Sequence, residues 1–485
     1  MAEFKPTPEQ QTAIDTFRQG TDMVIQAGAG AGKTSTLKKL AQAMPSKRGL
    51  YLAYNSSIKK EAARSFPRSV RCMTSHGIAF QAVGLKYRHR LNSARQSGTH
   101  AARLLNITRP LSTGKDRPQL APAQIASYAR ETVKRFCYTD ATELTTNHVP
   151  RRKGYSYDEH QALAAKILPF ARRVWDDARD PNGVLRYEHD YYLKEWLLTA
   201  PRLTDYDYLL FDEAQDANAA VTRLVLQQTH AKRIAVGDSC QAIYGWRGAT
   251  DALNVFPGRQ LTLSKSFRFG PAVAGEANLW LDLLDAPLRI EGYDQVPSRI
   301  TPNLTPDAIL TRSNAGAMHE AMKQMEAGRK VALVGGGSSM IKLAEASIQL
   351  MNGEPCFHPE LIAFESWEQL KDYAEQEEDG SDLIPLISLI EEHGAEGVIK
   401  AAQALTDPSS ADVVVSTAHK SKGLEWDNVR IGADFAERIP REDEKGRRLI
   451  KRAEAMLIYV AVTRARLRLD AENVQWVHLL NGVRD

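Results

Sequence analysis

The apolar and polar positions of this chain fall into two alternating kinds of segment. Short apolar runs closed by glycine-containing or acidic loops, at 22–27 (DMVIQA), 206–211 (YDYLLF) and 233–236 (RIAV), predict buried strands. TSTLKKLAQAM after the first run, and residues 217–230 between the other two, carry helical spacing. Strands that alternate with helices predict a parallel sheet. The pattern recurs at 308–311 (AILT), 330–334 (KVALV), 412–416 (DVVVS) and 428–431 (NVRI), so the fold class is α/β with two parallel-sheet cores. Residues 85–200 break the rhythm, with helical stretches at 121–137 and 160–178, and predict a mainly helical insertion in the first core. Residues 340–405 predict a second helical insertion, in the second core. The Glu-rich EQEEDGSD at 375–382 predicts an exposed loop.

Composition adds bounds. A chain of 485 residues suits two to four domains, and 43% apolar with 25% charged residues is the balance of a globular protein. No run approaches the roughly 18 apolar residues of a membrane span, and the N-terminal MAEFKPTPEQQ has no apolar h-region, so neither a membrane segment nor a signal peptide is expected. Cys72, Cys137, Cys240 and Cys356 lie far apart without C-x-x-C spacing. No structural zinc and no disulfide framework are therefore expected, and a reducing, cytoplasmic location is.

Charge separates the two insertions. Residues 85–195 hold 20 Lys/Arg against 12 Asp/Glu, a local +8, whereas residues 340–405 hold 3 Lys against 14 Asp/Glu, a local −11. The first suits phosphates and the second repels them, although both charge sets also fit plain solvated helical surfaces. The acidic segment is read either as docking on the basic one or as recruiting a basic partner protein.

Candidate chemistry concentrates in AGAGAGKTS, residues 27–35. Ala27, Gly28, Ala29, Gly30, Ala31 and Gly32 form a loop whose backbone N–H groups can face phosphate oxygens at a helix start. Lys33 reaches the β- and γ-phosphates in such a loop, Thr34 ligates Mg²⁺, and Ser35 continues the turn. Ala27 stands where the first glycine of a P-loop is usual; a plain tight connection is the alternative reading. DEAQD, residues 212–216, follows an apolar strand and supplies what phosphoryl transfer still needs. Asp212 is the second Mg²⁺ contact and Glu213 positions or activates water.

With DEAQD the chain resembles the UvrD/Rep/PcrA group of superfamily 1 helicases, and the rest of that motif series follows in order. TPEQQTAI (7–14) is similar to the Q motif, NSSIKKEA (55–62) and TSHGIAF (74–80) to motifs Ia and Ib, and GDSCQAIYGWRGA (237–249) to motif III. SFR (266–268), STAHKSKGLEWDNV (416–429) and LIYVAVTRAR (457–466) are similar to motifs IV, V and VI. The wording of Ia and Ib is closer to the F-box DNA helicase branch and to small phage or bacterial relatives, although no F-box is expected ahead of the core.

The resemblance implies a DNA-dependent ATPase that uses ATP and Mg²⁺ between two RecA-like cores. Their expected extents are 1–84 with 196–265 and 266–339 with 406–485, interrupted by 85–195 and 340–405. It implies that Gln10 reads adenine, Phe267 stacks on it, Glu425 contacts the ribose and Gln241 senses the γ-phosphate. Arg268 and Arg464 become finger residues. Single-stranded DNA and single/double-strand junctions are the implied partners. Tyr54, Asn55, Thr74, His76, Tyr244, Trp246, Arg247 and His419 are the implied DNA contacts, because sequence-tolerant binding needs aromatic faces for bases and donors for phosphates.

Departures are also visible. About 20 residues follow motif VI, so the strand-splitting hairpin of larger relatives is expected to be absent or minimal, and no room is expected for a nuclease domain. Single-strand translocation with 3′→5′ unwinding, in repair, recombination or replication, is the function implied. A translocase that strips proteins from DNA and a nucleotide-switched binding protein that does not step are the rivals.

Overall fold

The computed structural model describes residues 5–484 except 92, 94–95, 115–116, 118, 153, 246–247, 249, 355, 357, 359, 363, 377–382, 439–441 and 444. Contacts divide the chain into two compact units, Met1–Ala27 with Gly32–Leu263, and Gly28–Ala31 with Ser264–Asp485.

The first unit is built on six parallel strands, β1 (Met23–Ala27), β2 (Gly49–Ala53), β3 (Val70–Thr74), β4 (Tyr208–Phe211), β5 (Lys232–Gly237) and β6 (Arg259–Leu263), in the order β3-β2-β4-β5-β1-β6. The interior strands are buried along most of their length, as a sheet covered on both faces requires. Their order places the C-terminal ends of β4, β5 and β1 side by side, and loops at these ends are where open parallel sheets bind ligands. Helix Ser75–Ala82 and four more, Gly98–Leu104, Pro122–Tyr138, Tyr157–Arg179 and His189–Leu198, lie in sequence between β3 and β4. They share one apolar cluster with the sheet, which joins Val24, Leu50 and Leu209 to Val133, Phe136, Ile167 and Trp175.

In the second unit β7 (Arg299–Ile300), β8 (Ala308–Thr311), β9 (Val331–Leu333), β10 (Val413–Thr417) and β11 (Trp426–Ile431) join β13 (Ala465–Asp470) in the order β7-β13-β11-β8-β10-β9. Every pairing between them is parallel. β12 (Leu449–Lys451) pairs separately with β14 (Gly482–Arg484). Helices Ser338–Met351, Trp367–Gln376 and Ile384–Gln403 fall between β9 and β10. They form a cluster of their own with helix Asn314–Glu326, through Met318, Leu343, Leu370, Leu389 and Val398.

Every strand expected from the apolar runs is present within two residues of its expected ends, and the helices expected at 121–137 and 160–178 run over 122–138 and 157–179. β2, β3, β6, β7, β12, β13 and β14 are not among the strands expected from those runs. β6 carries exposed residues along most of its length, and in β13 the exposed Arg466 and Arg468 hide the apolar pattern. The loop expected at 375–382 is corrected at its start, because helix Trp367–Gln376 runs into it; the remaining six positions lie outside the described residues. None of the described helices is long and apolar enough to cross a membrane.

Candidate nucleotide and DNA site

β1 ends at Ala27, and Gly32 then caps helix Lys33–Ala43 in the left-handed conformation (φ 74°), with no side chain on the first N–H groups. Those donors are the orphans a helix start presents to an anion. Thr34 and Ser35 are exposed on the first turn, while Ala27, Ala29 and Ala31 are buried. Gly30 is also left-handed, and a Cβ there would meet Ser266 Oγ at 2.5 Å and Arg268 Cβ at 2.6 Å. Gln10 is buried; its Oε1 accepts from the Thr7 N–H at 3.2 Å and its Nε2 donates to Thr36 Oγ1 at 3.1 Å.

Beyond β4, Asp212 is buried and accepts from the Tyr51 hydroxyl. Burial pushes its carboxyl up to about 6, the neighbouring Glu213 charge adds to the rise, and the Tyr51 bond and Lys33 pull the other way. Glu213 adopts the left-handed conformation (φ 50°), a cost borne by few non-glycine residues and found mostly at functional turns. Its carboxylate lies 3.8 Å from Lys33 Nζ and accepts from Gln215 Nε2 at 2.6 Å.

Gln215 extends this network to the loop after β5. Its Oε1 accepts from the Asp238 N–H at 3.2 Å, and Asp238 Oδ2 accepts from Gln241 Nε2 at 2.7 Å. A side chain at Gly237 would collide with that same Gln215 oxygen. Gln26 at the end of β1 donates to Ser239 Oγ at 2.7 Å. The three neighbouring strand ends are thus cross-linked by side chains, and Lys33, Asp212, Glu213 and Gln241 stand in one connected set.

In the second unit Arg268 donates to Glu425 Oε2 at 2.6 Å and to the Thr463 carbonyl at 3.1 Å. Arg464 is 2% exposed, and its guanidinium donates to the Val460 and Leu424 carbonyls and to Thr463 Oγ1. Thr463 therefore serves both arginines. Phe267 is 43% exposed and packs edge-on against Tyr293 at 5.7 Å. His419 is half-buried in the turn after β10.

Of the remaining DNA candidates, Tyr54 and Tyr244 present near-parallel rings, 6.2 Å apart and tilted by 11°. Asn55 and Thr74 cap helices Ser56–Ser65 and Ser75–Ala82, accepting from the Ile58 and Gly77 N–H groups. His76 Nε2 lies 3.0 Å from Asp190 Oδ1, whose other oxygen accepts from the Tyr138 hydroxyl at 3.4 Å. A cavity of about 1080 Å³ in the first unit is lined by Tyr54, Asn55 and His76 and also by Asp212 and Glu213. Lys134 and Arg135 add positive charge to its wall, Glu131 and Glu188 negative. Trp246 and Arg247 lie outside the described residues.

Sequence reasoning passed over Tyr51, Gln215, Asp238, Thr463, Tyr138 and Asp190. Gln215, Asp238 and Thr463 stand inside segments already singled out, beside the candidate residues they hold. Tyr51, Tyr138 and Asp190 reach their partners from more than 50 positions away, with no local signal.

Two family models match. UvrD/REP helicase N-terminal domain covers residues 100–254, and UvrD-like helicase C-terminal domain covers residues 364–471. The chain is 29% identical to F-box DNA helicase protein 1 of Schizosaccharomyces pombe, over 96% of this chain and 57% of that protein. It is 30% identical to F-box DNA helicase 1 of Gallus gallus, over 96% and 49%. A probable DNA helicase II homolog of Rickettsia conorii is 25% identical over 50% of this chain and 38% of that protein. The chain thus spans about half the length of the F-box relatives it matches. With two parallel-sheet cores and both halves of the family matched in order, this chain belongs to the UvrD-like superfamily 1 helicases.

Proposed function

We propose that the chain is an ATP-driven motor that moves along single-stranded DNA and separates duplex at a junction, with 3′→5′ polarity by resemblance. The observation that carries this reading is the approach of Lys33 to Glu213 at 3.8 Å beside buried Asp212, at the C-terminal ends of adjacent strands. The residues fit ATP with Mg²⁺: a helix start with uncommitted N–H groups, a lysine for phosphate, and a hydroxyl and carboxylate oxygen of the kind a hard cation takes. Bound there, ATP supplies the phosphoanhydride whose hydrolysis drives the cycle.

In this mechanism Lys33 and the N–H groups of its helix hold phosphate, and Thr34 with Asp212 holds the metal. Glu213, fixed by the Gln215 amide, accepts a proton from the attacking water at a carboxylate oxygen. Gln241, fixed by Asp238, senses the γ-phosphate. Arg268 and Arg464 neutralise charge in the transition state, an effect worth on the order of 10³–10⁵ in rate. Phe267 and Gln10 hold the adenine and Glu425 the ribose. Tyr54, Tyr244 and Trp246 stack bases, while Asn55, Thr74, His76, Arg247 and His419 contact the DNA backbone.

The test is ATP turnover against single-strand length. Turnover should rise with length and then saturate, as each encounter with a longer strand permits more steps. Lys33→Ala should abolish turnover while nucleotide-free single-strand binding persists. Turnover indifferent to DNA, or substantial hydrolysis by Lys33→Ala, would overturn the proposal.

A further inference from the structure

Helix Ile384–Gln403 is not continuous. Gly394 (φ 68°, ψ 150°) breaks it, so its first half ends at His393. The carbonyl end of a helix carries partial negative charge and favours a cation. Two donors stand at this break, Glu392 and His393, and helix Asn314–Glu326 brings a third, His319. His319 Nδ1 lies 3.5 Å from Glu392 Oε2, and His393 Nε2 lies 3.8 Å from Glu392 Oε1. The three ligand atoms all fall within 4.8 Å of one another. His393 Nε2 is screened from solvent and makes no hydrogen bond among the described residues, which is costly for a buried nitrogen without some other partner.

We propose that His319, Glu392 and His393 bind a divalent transition metal, Zn²⁺ by their donor chemistry. Two imidazoles and one carboxylate suit Zn²⁺, whereas Mg²⁺ takes oxygen ligands, so this site is chemically distinct from the one at Thr34 and Asp212. Tetrahedral Zn²⁺ at 2.0–2.1 Å from each ligand separates the ligand atoms by about 3.3 Å. From separations of up to 4.8 Å the spacing needs a contraction of about 1.5 Å at most, which the side chains of His319 (40% exposed) and Glu392 (57% exposed) can supply by rotation. Water fills the fourth position from the open side. Neighbouring charges are engaged elsewhere, Glu391 with Lys371 at 2.8 Å and Glu320 with Arg430, and the ion pairs of Glu392 among the described residues are with His319 and His393.

The site joins two elements of one apolar cluster, the helix that follows β8 and the helical segment between β9 and β10. Zinc would therefore act as a staple that fixes the acidic segment to the sheet-side helix. The expectation of no structural zinc rested on cysteine spacing, which cannot reveal ligands 73 positions apart.

The protein, stripped with chelator and returned to buffer with excess Mg²⁺, should bind one Zn²⁺ per chain by calorimetric titration. Co²⁺ at the site should give the visible absorption of a low-symmetry nitrogen and oxygen set. His319→Gln, a change at a half-exposed position that leaves the apolar cluster intact, should weaken Zn²⁺ binding. The loss should exceed the roughly 10–100-fold that removal of an outer partner costs. His393→Ala should do the same, and the rise in melting temperature on adding Zn²⁺ should vanish in both variants. Failure of the wild-type chain to bind Zn²⁺ stoichiometrically overturns the proposal. So does unchanged Zn²⁺ affinity in the folded His319→Gln variant, which would put the ion elsewhere.

Discussion

Glu213 and Gln215 divide one task between them. In the proposed mechanism Glu213 carries the reacting carboxylate, and Gln215, fully buried, holds it with one end of its amide while bridging to Asp238 with the other. Glu213→Gln should retain nucleotide affinity and lose on the order of 10²–10⁴ in turnover, the usual worth of a positioned base. Gln215→Ala should cut turnover less but should also lower stability by about 1–3 kcal/mol, because the buried Asp238 N–H loses its acceptor. Single-turnover kinetics beside denaturant melts separates the two effects. A Gln215→Ala variant with unaltered stability would contradict the bridging role.

Lys194 shows the same economy away from the reaction. It is buried, donates to the Thr139 and Ala141 carbonyls at 2.7 and 2.6 Å, and lies over the Phe136 ring. Burial lowers its pKa to about 8 from the usual 10.5. The unfolded chain therefore binds this proton more tightly than the folded one. Its contribution to stability rises with pH between about 8 and 10.5 and is flat below. Relative to Lys194→Met, the wild-type chain should gain stability across that window in urea melts. A difference that stays constant from neutral pH to pH above 10 would show that Lys194 titrates normally.

Elements explain how these groups meet. β1, β4 and β5 are adjacent, so three loops far apart in sequence open on one edge, and each loop uses a backbone device suited to its task. The P-loop has a glycine in the left-handed region at the helix start, β4 has Glu213 in that region, and β5 ends on a glycine that makes room for Gln215. The loop after β5 also carries Tyr244 to the near-parallel face of Tyr54, beyond β2. Tyr54→Ala should weaken single-strand binding by about 1–3 kcal/mol, the worth of one base stack, without shifting the melting temperature, since Tyr54 is 39% exposed. Fluorescence anisotropy with a labelled oligonucleotide tests this, and unchanged affinity would remove Tyr54 from the DNA track.

At the scale of the whole molecule each unit has its own six-stranded sheet and its own apolar clusters. Units with separate cores unfold without a shared all-or-none transition. Scanning calorimetry on the protein without nucleotide should therefore show two transitions, with a van't Hoff enthalpy smaller than the calorimetric one. A single two-state endotherm would mean that the cores are coupled more tightly than their separate clusters imply.

The sequence by itself determined the class of fold and singled out the residues proposed to react. Buried parallel strands are continuous apolar runs, and a phosphate loop needs glycine, lysine and hydroxyl at fixed spacing; both are local properties that one stretch of chain displays. The strands with charged or alternating faces, β6 and β13, stayed hidden because their identity comes from pairing partners rather than from composition. Only the tertiary structure decided what holds the reacting groups. Tyr51 meets Asp212, Asp190 meets His76, and His319 meets Glu392 across 161, 114 and 73 positions. Such partners are chosen by strand order and helix packing, which bring together side chains whose own neighbourhoods in sequence give no sign of each other.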